Sequence, residues 1–318
     1  MRTLLVTGAS GFVGGKLVER ARASGQWSVV GVGRRVLDQA GYHAIDLSRP
    51  FALDLEPDVV VHAAARSSPW GSRAAFFRNN VVATRHVVEF CESRRRRPRL
   101  IYLSSSSVFY RREHQLGLTE DSPIGPRFVN DYAETKAAGE QVVRGYAGSW
   151  AILRPRAVFG PGDTVLFPRI LEAAARGRLP LIVNDGPPAL GDLIYIDSLS
   201  DYILRAAASE VTGDFNLTNG QPVPIVDFLL RVFDALGLPR PARRVRVASA
   251  MRMAAALEVV YRALPFLGEP PITRFGVSVF AWSKTFDVAR AVAAFGPPSV
   301  SIESGLEAFV RWQRERMR

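Results

Sequence analysis

Three glycines spaced three residues apart follow the first apolar run of the chain. Residues 3–7 form a pattern typical of a buried strand, and Gly8, Gly11 and Gly14 then open a helical pattern. Glycine lets the backbone turn sharply and brings N–H groups close to a ligand, while a helix N-terminus adds a positive dipole end. Between a first strand and a first helix, this spacing predicts a dinucleotide-binding turn rather than a plain tight turn.

Short apolar runs alternate with helical patterns through the first half of the chain. Strands are predicted at 28–32, 59–62, 100–103 and 151–153, and helices at 14–24, 76–92 and 132–146. This alternation predicts an α/β fold, a Rossmann-type doubly wound parallel sheet with helices on both faces. Right-handed crossovers then bring the carboxyl ends of the strands to one edge, where ligands bind.

The second half is less regular and is interrupted by prolines. Short strands are predicted at 192–196 and 214–217, a helix at 224–236, and a long apolar stretch covers 247–267. We expect an NADP-binding Rossmann domain over 1–165, with strands from 190–218 returning to its sheet. Residues 166–318 are expected to form mainly a smaller, mixed substrate-binding region.

The formal charge of +11 comes mostly from arginine. No nucleic-acid-binding motif accompanies it, so a solvated basic surface is favoured and no nucleic-acid partner is predicted. Cys91 is the one cysteine, which excludes an internal disulfide, and its apolar surroundings predict a core position. A strand that begins at residue 3 leaves no room for a signal peptide, and a cytoplasmic protein is expected.

Charged residues interrupt the apolar stretch at 247–267. Arg252, Glu258 and Arg262 make it a poor membrane span, and no transmembrane segment is predicted. Two interpretations of this stretch remain possible: an amphipathic helix that lines an apolar pocket, or one that contacts a membrane surface.

The residues that follow the second predicted strand favour NADP(H) over NAD(H). An NAD site usually ends this strand with an acid that holds the ribose 2′-hydroxyl, whereas this chain has Gly33, Arg34 and Arg35. A guanidinium binds a 2′-phosphate bidentately and a carboxylate repels it. Asp46, after a third short strand, is a candidate acceptor for the adenine amino group, although a turn-forming Asp explains it almost equally well.

Tyr132 and Lys136 lie four residues apart on a predicted helix, so their side chains share one face. A nearby ammonium is expected to lower the pKa of the phenol, which then exchanges a proton with a substrate oxygen. Residues 104–107 are four serines directly after the strand 100–103, so a hydroxyl is expected at the same sheet edge. A turn that satisfies backbone groups is the alternative interpretation of the serine run.

Together these motifs resemble the extended short-chain dehydrogenase/reductase family, over nearly the whole chain. The glycine turn, residues 62–65, Asn80, the serine run, Tyr132 with Lys136, and residues 154–163 occur in the family order. Weaker segments, at 69–72, 192–197, 216–220 and 268–275, resemble the 3β-hydroxysteroid dehydrogenase-like branch. That branch includes sterol dehydrogenases and reductases of 2-alkyl-3-oxoalkanoic acids.

The resemblance implies roles for individual positions. It implies a catalytic set of Ser105, Tyr132 and Lys136. The cofactor-binding residues that the turn and the resemblance imply are Gly8, Ser10, Gly11, Phe12, Val13, Gly14, Arg34, Arg35, Asp46, Leu47, Ala63, Ala64, Ala65, Asn80, Lys136, Pro155 and Val158. The chain departs from the family at 110–112, where Tyr-Arg-Arg replaces a usual glycine, and residues 111–131 are expected to form a lid.

The leading hypothesis is an NADP(H)-dependent oxidoreductase that interconverts a ketone and a secondary alcohol. Tyr132 is expected to be the general acid/base, and no metal is needed. The apolar residues of 247–282 are expected to line the substrate-binding side of the site, for an apolar substrate such as a 3-oxo acid or a 3-hydroxysteroid. A homodimer is compatible with it. A nucleotide-sugar epimerase is one alternative. It needs basic groups that bind a diphosphate, and Arg243, Arg244 and Arg274 are candidates for them. A non-catalytic NADP-binding sensor or scaffold is the other.

Overall fold

The computed structural model describes residues 1–177, 179–183 and 186–317. The strands are β1 (Arg2–Thr7), β2 (Trp27–Gly33), β3 (Tyr42–Ala44), β4 (Val59–His62), β5 (Arg99–Leu103), β6 (Gln115–Leu118), β7 (Trp150–Pro155), β8 (Val158–Phe159), β9 (Leu181–Val183), β10 (Leu190–Gly191), β11 (Ile194–Tyr195), β12 (Gly213–Leu217), β13 (Val223–Pro224), β14 (Arg244–Arg246) and β15 (Lys284–Phe286). The α-helices are α1 (Phe12–Ala23), α2 (Arg73–Phe77), α3 (Ala83–Glu92), α4 (Asp131–Arg144), α5 (Phe167–Ala175), α6 (Ile196–Ala208), α7 (Ile225–Leu236), α8 (Val247–Ala263), α9 (Arg274–Ala281), α10 (Ala289–Phe295) and α11 (Ile302–Met317).

A parallel sheet of seven strands forms the centre of the molecule, in the order β12-β7-β5-β4-β1-β2-β3. From β1 the chain moves outward through β2 and β3 on one side and through β4, β5, β7 and β12 on the other. The direction therefore reverses between β1 and β4, which is where open α/β sheets bind ligands. All residues of β4 and β5 are buried, as expected for strands covered on both faces. The predicted α/β fold class is confirmed.

Helices cover both faces of this sheet. On one face, α1, α6 and α10 pack their apolar stripes against β1, β7 and β12, with Leu17, Leu199 and Phe295 among the contacts. On the other face, α3 and α4 pack against β4 and β5, and Cys91 lies fully buried in that layer. In the described part of the chain, no helix is long and apolar enough to cross a membrane.

The less regular second half contributes to more than one sheet. Strand β12 joins the central sheet beside β7. Of the strand predicted at 192–196, the structure has the two residues of β11, which pair with β8, and α6 begins at Ile196. A smaller mixed sheet has the order β13-β10-β15-β6. The boundary expected at residue 165 stays a prediction.

Two segments contain elements that the sequence did not predict. The helix expected over 76–92 is divided into α2, a π-helical turn at Arg78–Val82, and α3. Within the segment 111–131, residues 115–118 form β6, which pairs with β15 in the smaller sheet. The Gln115 N–H donates to the Ser283 carbonyl at 2.9 Å, and the Asp287 N–H donates to the Leu118 carbonyl at 2.9 Å. These two hydrogen bonds fix both ends of that pairing. A lid formed by this segment stays a prediction.

A buried ion pair joins α4 to the central sheet. The side chains of Arg154 in β7 and Glu140 in α4 are 0% and 1% exposed, and two hydrogen bonds of 2.9 and 2.8 Å connect them. Arg154 also donates to Asp214 of β12 at 2.6 Å. Burial raises the pKa of Glu140, but the hydrogen bonds and charge of Arg154, with the Ser104 hydroxyl, outweigh it and leave that pKa below its ordinary value.

Replacing Glu140 by Gln should lower the free energy of unfolding by about 3–5 kcal/mol, because it leaves a buried guanidinium short of charge compensation. Denaturant titration of the full chain measures this. Glu172→Gln is the matched control, because Glu172 pairs with Arg176 one helical turn away and both side chains are 60% exposed. The control should change stability by under about 0.5 kcal/mol. Equal effects of the two substitutions would contradict a stabilising role for the buried pair.

Candidate active site

A pocket of about 480 Å³ opens at the carboxyl edge of the central sheet. Its wall combines the ends of β1, β2, β4, β5 and β7 with the first turns of α1 and α4 and part of α9. The predicted site residues in this wall are Gly8, Ser10, Gly11, Phe12, Val13, Gly14, Arg34, Arg35, Asp46, Leu47, Ala63, Ala64, Ala65, Ser105, Tyr132, Lys136, Pro155 and Val158.

The glycine turn has the geometry of an anion-binding helix end. Gly8 has a φ of 72°, and a Cβ on Gly14 would lie 2.2 Å from the Gly8 carbonyl oxygen, so both positions require glycine. Gly11 is the N-cap of α1, and within the described residues no side chain caps this helix and no acid occupies its first turn. The first-turn N–H groups of α1 are therefore available to an anion in the pocket.

The far end of the pocket carries the two arginines and the aspartate. Arg34 is exposed and donates to the Asn79 side chain at 3.3 Å, while Arg35 donates to the Ser10 carbonyl. An added Cβ on Gly33 would lie 2.6 Å from the Tyr42 hydroxyl, which disfavours any side chain at the end of β2. Asp46 accepts the Ser48 N–H at 3.0 Å, and this hydrogen bond holds the pKa of Asp46 below its ordinary value.

Ser105 and Tyr132 meet at the middle of the pocket. Ser105 follows β5 and caps a 3₁₀ turn (Ser106–Phe109), accepting the Ser107 N–H at 3.2 Å and the Ser107 hydroxyl at 3.0 Å. Tyr132 lies in the first turn of α4, whose N-cap Asn130 accepts the Ala133 N–H at 2.9 Å. Burial raises the pKa of Tyr132, and a hydrogen bond with Ser105 partly opposes this.

Lys136 is 1% exposed and lies beneath the same site. Its Nζ donates to the Leu103 carbonyl at 2.6 Å and lies 4.1 Å from the centre of the Tyr102 ring. Burial lowers the pKa of Lys136 to about 7, although Glu140 opposes the shift. Burial is the largest cause of the shift at both groups, and it raises the pKa of the phenol. The expected lowering of the Tyr132 pKa by Lys136 stays a prediction.

The other serines of the run have structural partners. Ser104 donates to Glu140 at 2.6 Å, and Ser106 lies 3.3 Å from the Tyr110 hydroxyl. Both interpretations of the serine run therefore apply, to different members of it. Ser105 is the member of the run that is partly exposed, and it lines the same pocket as Tyr132.

Asn80 and the apolar C-terminal stretch are not brought to the pocket as expected. Asn80 is buried behind the wall, where it accepts the Arg66 N–H at 2.7 Å and donates to Thr135 at 3.0 Å. Its contribution to cofactor binding stays a prediction. Of residues 247–282, all of which are described, Phe275 and Val279 of α9 line the pocket, and α8 does not reach it.

Asn130 and Tyr110 are among the wall residues that were not predicted from the sequence, and the burial of Arg156 was not predicted either. Asn130 has a recognisable signal, because an Asn directly before a helical pattern is a typical N-cap. Tyr110 and Arg156 have no local signal, since their burial depends on the packing of β15, β10 and α9 around them.

Comparisons with known proteins agree with this geometry. Residues 4–218 match the model of the NAD dependent epimerase/dehydratase family. A 2-alkyl-3-oxoalkanoate reductase of Stenotrophomonas maltophilia (strain K279a) is 34% identical over 331 aligned residues, which cover 95% of this chain and 97% of the relative. The human sterol-4-alpha-carboxylate 3-dehydrogenase, decarboxylating, is 30% identical over 257 residues, or 74% of this chain and 67% of the relative.

A similar solved structure is that of MoeE5 in complex with UDP-glucuronic acid and NAD. It is 25% identical to this chain, with a TM-score of 0.75 and a coverage of 99% of both chains.

The low pKa of Lys136 predicts a specific pH dependence of stability. Its folded pKa of about 7 lies below the ordinary 10.5, so between these values the unfolded chain binds a proton that the folded chain lacks. Stability should therefore rise with pH above 7. In urea titrations from pH 7.5 to 9.5, the free energy of unfolding should rise in wild type relative to Lys136→Met by up to about 1.4 kcal/mol per pH unit.

Lys16→Met is the control, because Lys16 lies on the surface and pairs with Glu19. Its stability should change with pH in parallel with wild type. Parallel curves for Lys136→Met and wild type would show that Lys136 keeps an ordinary pKa in the folded state.

Proposed function

Because the chain belongs to the NAD dependent epimerase/dehydratase family, we propose that it is an oxidoreductase that uses NADP(H) to interconvert a ketone and a secondary alcohol. Its resemblance to extended short-chain dehydrogenases/reductases of the 3β-hydroxysteroid dehydrogenase-like branch is confirmed by its curated relatives. The observation that carries the proposal is that Ser105, Tyr132 and Lys136 lie together in the wall of the pocket that begins at the glycine turn.

The wall residues fit a dinucleotide along the whole pocket. The uncapped first turn of α1 suits a pyrophosphate, and Arg34 and Arg35 suit a ribose 2′-phosphate. Asp46 and Leu47 would contact the adenine. Smaller residues at the other end would contact the nicotinamide half, namely Ala63, Ala64, Ala65, Pro155 and Val158. Bound NADPH supplies the hydride.

In ketone reduction, Tyr132 donates its phenolic proton to the substrate oxygen as the carbinol carbon is reduced. A raised pKa keeps that proton on the phenol at neutral pH, so the proton donor is fully populated. Ser105 donates a hydrogen bond that orients the same oxygen. Lys136, held by the Leu103 carbonyl, lies on the same face of α4 and stabilises the phenolate when it carries a proton.

The substrate side of the pocket is largely apolar. Phe275 and Val279 of α9 form part of it, and the Tyr110 ring stacks on Phe275 with ring centres 6.3 Å apart. Such a wall suits an alkyl chain or a sterol better than the diphosphate of a nucleotide sugar. The names of both curated relatives describe chemistry at a carbon near a carboxylate. A 3-oxo acid is therefore the substrate class that we propose first.

Replacing Tyr132 by Phe should lower the rate of NADPH-dependent reduction of a 2-alkyl-3-oxoalkanoate by roughly 10²- to 10⁴-fold, because it removes the proton donor. The dissociation constant of NADPH, measured by fluorescence titration, should change less than about threefold. Tyr261→Phe on α8 is the control, since Tyr261 lies outside the pocket wall.

Full activity of Tyr132→Phe would contradict the mechanism. Turnover of UDP-sugars but not of ketones by the wild-type protein would instead favour the epimerase alternative. Tight NADPH binding with no turnover of either substrate class would favour a sensor or scaffold.

Replacing Arg34 by Ala should weaken NADPH binding by roughly tenfold or more and leave NADH binding nearly unchanged, because only NADPH carries the 2′-phosphate. Arg96→Ala is the control: it removes the same charge before β5, at the opposite edge of the sheet. Titration of each variant with both nucleotides measures the ratio. Equal losses for the two nucleotides would overturn the preference for NADP(H).

A further inference from the structure

Arg156 is a buried cation in the pocket wall, and part of its guanidinium has no hydrogen-bonded partner. It directly follows β7, is 4% exposed, and lines the pocket. Its Nε and Nη2 atoms are buried, and in the described part of the chain neither donates to any acceptor. Buried charged groups are normally paired, because an uncompensated charge away from water is strongly unfavourable. At these two atoms Arg156 therefore lacks a hydrogen-bonded acceptor among the described residues, although the carboxyl of Asp192 interacts with its charge.

Positive charge is in excess around Arg156. Its guanidinium lies over the Tyr110 ring, 5.2 Å from the ring centre, and Lys284 lies 5.8 Å from the centre of the same ring. The nearby carboxyl of Asp192 accepts the Phe286 N–H at 2.8 Å through Oδ2, whereas its Oδ1 has no hydrogen bond among the described residues. Asp192 therefore interacts with the charge of Arg156 without a hydrogen bond to it, whereas Lys284 donates to the backbone carbonyls of Glu113 and Ser283.

The unpartnered atoms have the arrangement that binds a carboxylate. Nε and Nη2 form one edge of the planar guanidinium, and two parallel N–H groups on one edge match the two oxygens of a carboxylate. The Tyr110 ring lies under Arg156, and Tyr110 lines the same pocket as Ser105 and Tyr132. Phe275 and Val279 offer apolar surface beside it.

We propose that Arg156 binds the carboxylate of the substrate and thereby selects 3-oxo and 3-hydroxy acids over neutral ketones and alcohols. The inference rests on the proposed function, because it concerns the substrate of the same pocket. In such an acid the carboxylate is two carbons from the reacting carbonyl carbon. One end of the substrate is held by Arg156 and its oxygen by Ser105 and Tyr132, while alkyl groups contact Phe275 and Val279.

The test compares an acid with its own methyl ester. The assay measures oxidation of a 2-alkyl-3-hydroxyalkanoic acid and of its methyl ester with NADP⁺. It is run on the wild-type protein, on Arg156→Gln, on Arg156→Lys and on the surface control Arg243→Gln. For Arg156→Gln, kcat/KM for the acid should fall roughly 10- to 100-fold, as expected for losing charge-assisted hydrogen bonds. For the ester it should change less than about threefold. Arg156→Lys should recover part of the loss, and Arg243→Gln should match wild type.

A second measurement does not depend on turnover or on a variant that folds. Calorimetric titration of the wild-type NADP⁺ complex with decanoate and with methyl decanoate should show at least roughly tenfold tighter binding of the acid. Thermal unfolding and NADP⁺ affinity of Arg156→Gln check that the variant is folded.

The outcomes separate the inference from the function on which it rests. Equal losses for acid and ester in Arg156→Gln, or no preference of the wild-type protein for the acid, would overturn the inference; Arg156 would then serve the structure through Asp192. Oxidation of the ester alone would overturn it while supporting the oxidoreductase. Arg156-dependent binding of decanoate without turnover of either compound would support the carboxylate site and overturn the proposed function.

Discussion

The buried pair of Glu140 and Arg154 links the elements that carry the candidate site. Glu140 lies two turns along α4 from Tyr132 and one turn from Lys136, and Arg154 belongs to the central strand β7. The same carboxylate accepts the Ser104 hydroxyl at the end of β5, next to Ser105. One carboxylate therefore sets the position of α4 relative to the ends of two neighbouring strands. The placement of Ser105 and Tyr132 relative to each other therefore depends on this pair.

Low polarity inside the pocket determines which protonation states the candidate catalytic groups adopt. Burial raises the pKa of Tyr132 and lowers that of Lys136 to about 7, so in both cases it favours the neutral form. A neutral phenol is the form that donates a proton to a ketone. Arg156 lines the same pocket, and its Nε and Nη2 atoms have no hydrogen bond among the described residues.

Local patterns in the sequence predicted most of the fold and much of the candidate site. The glycine turn, the strand at 100–103 and the helix that carries Tyr132 were found correctly because alternation and helical periodicity are properties of short segments. The π-helical turn at Arg78–Val82 was missed. The pairing of β6 with β15 was missed because its partners are far apart in the sequence, as Gln115 and Lys284 are 169 residues apart. The burial of Arg156 was missed for a similar reason: in an arginine-rich chain, burial by distant elements distinguishes it from surface arginines. The shift in the pKa of Tyr132 likewise depends on tertiary desolvation.

Transfer of deuterium from NADPH tests the central claim most directly. NADPH carrying two deuterium atoms at C4 of its nicotinamide is incubated with the protein and a 2-alkyl-3-oxoalkanoate, and the hydroxy acid is analysed by mass spectrometry. The account predicts one deuterium at C3 of the product for each NADPH oxidised. A product without deuterium at C3, or a cofactor that keeps both deuterium atoms while the ketone is left unchanged, would contradict it.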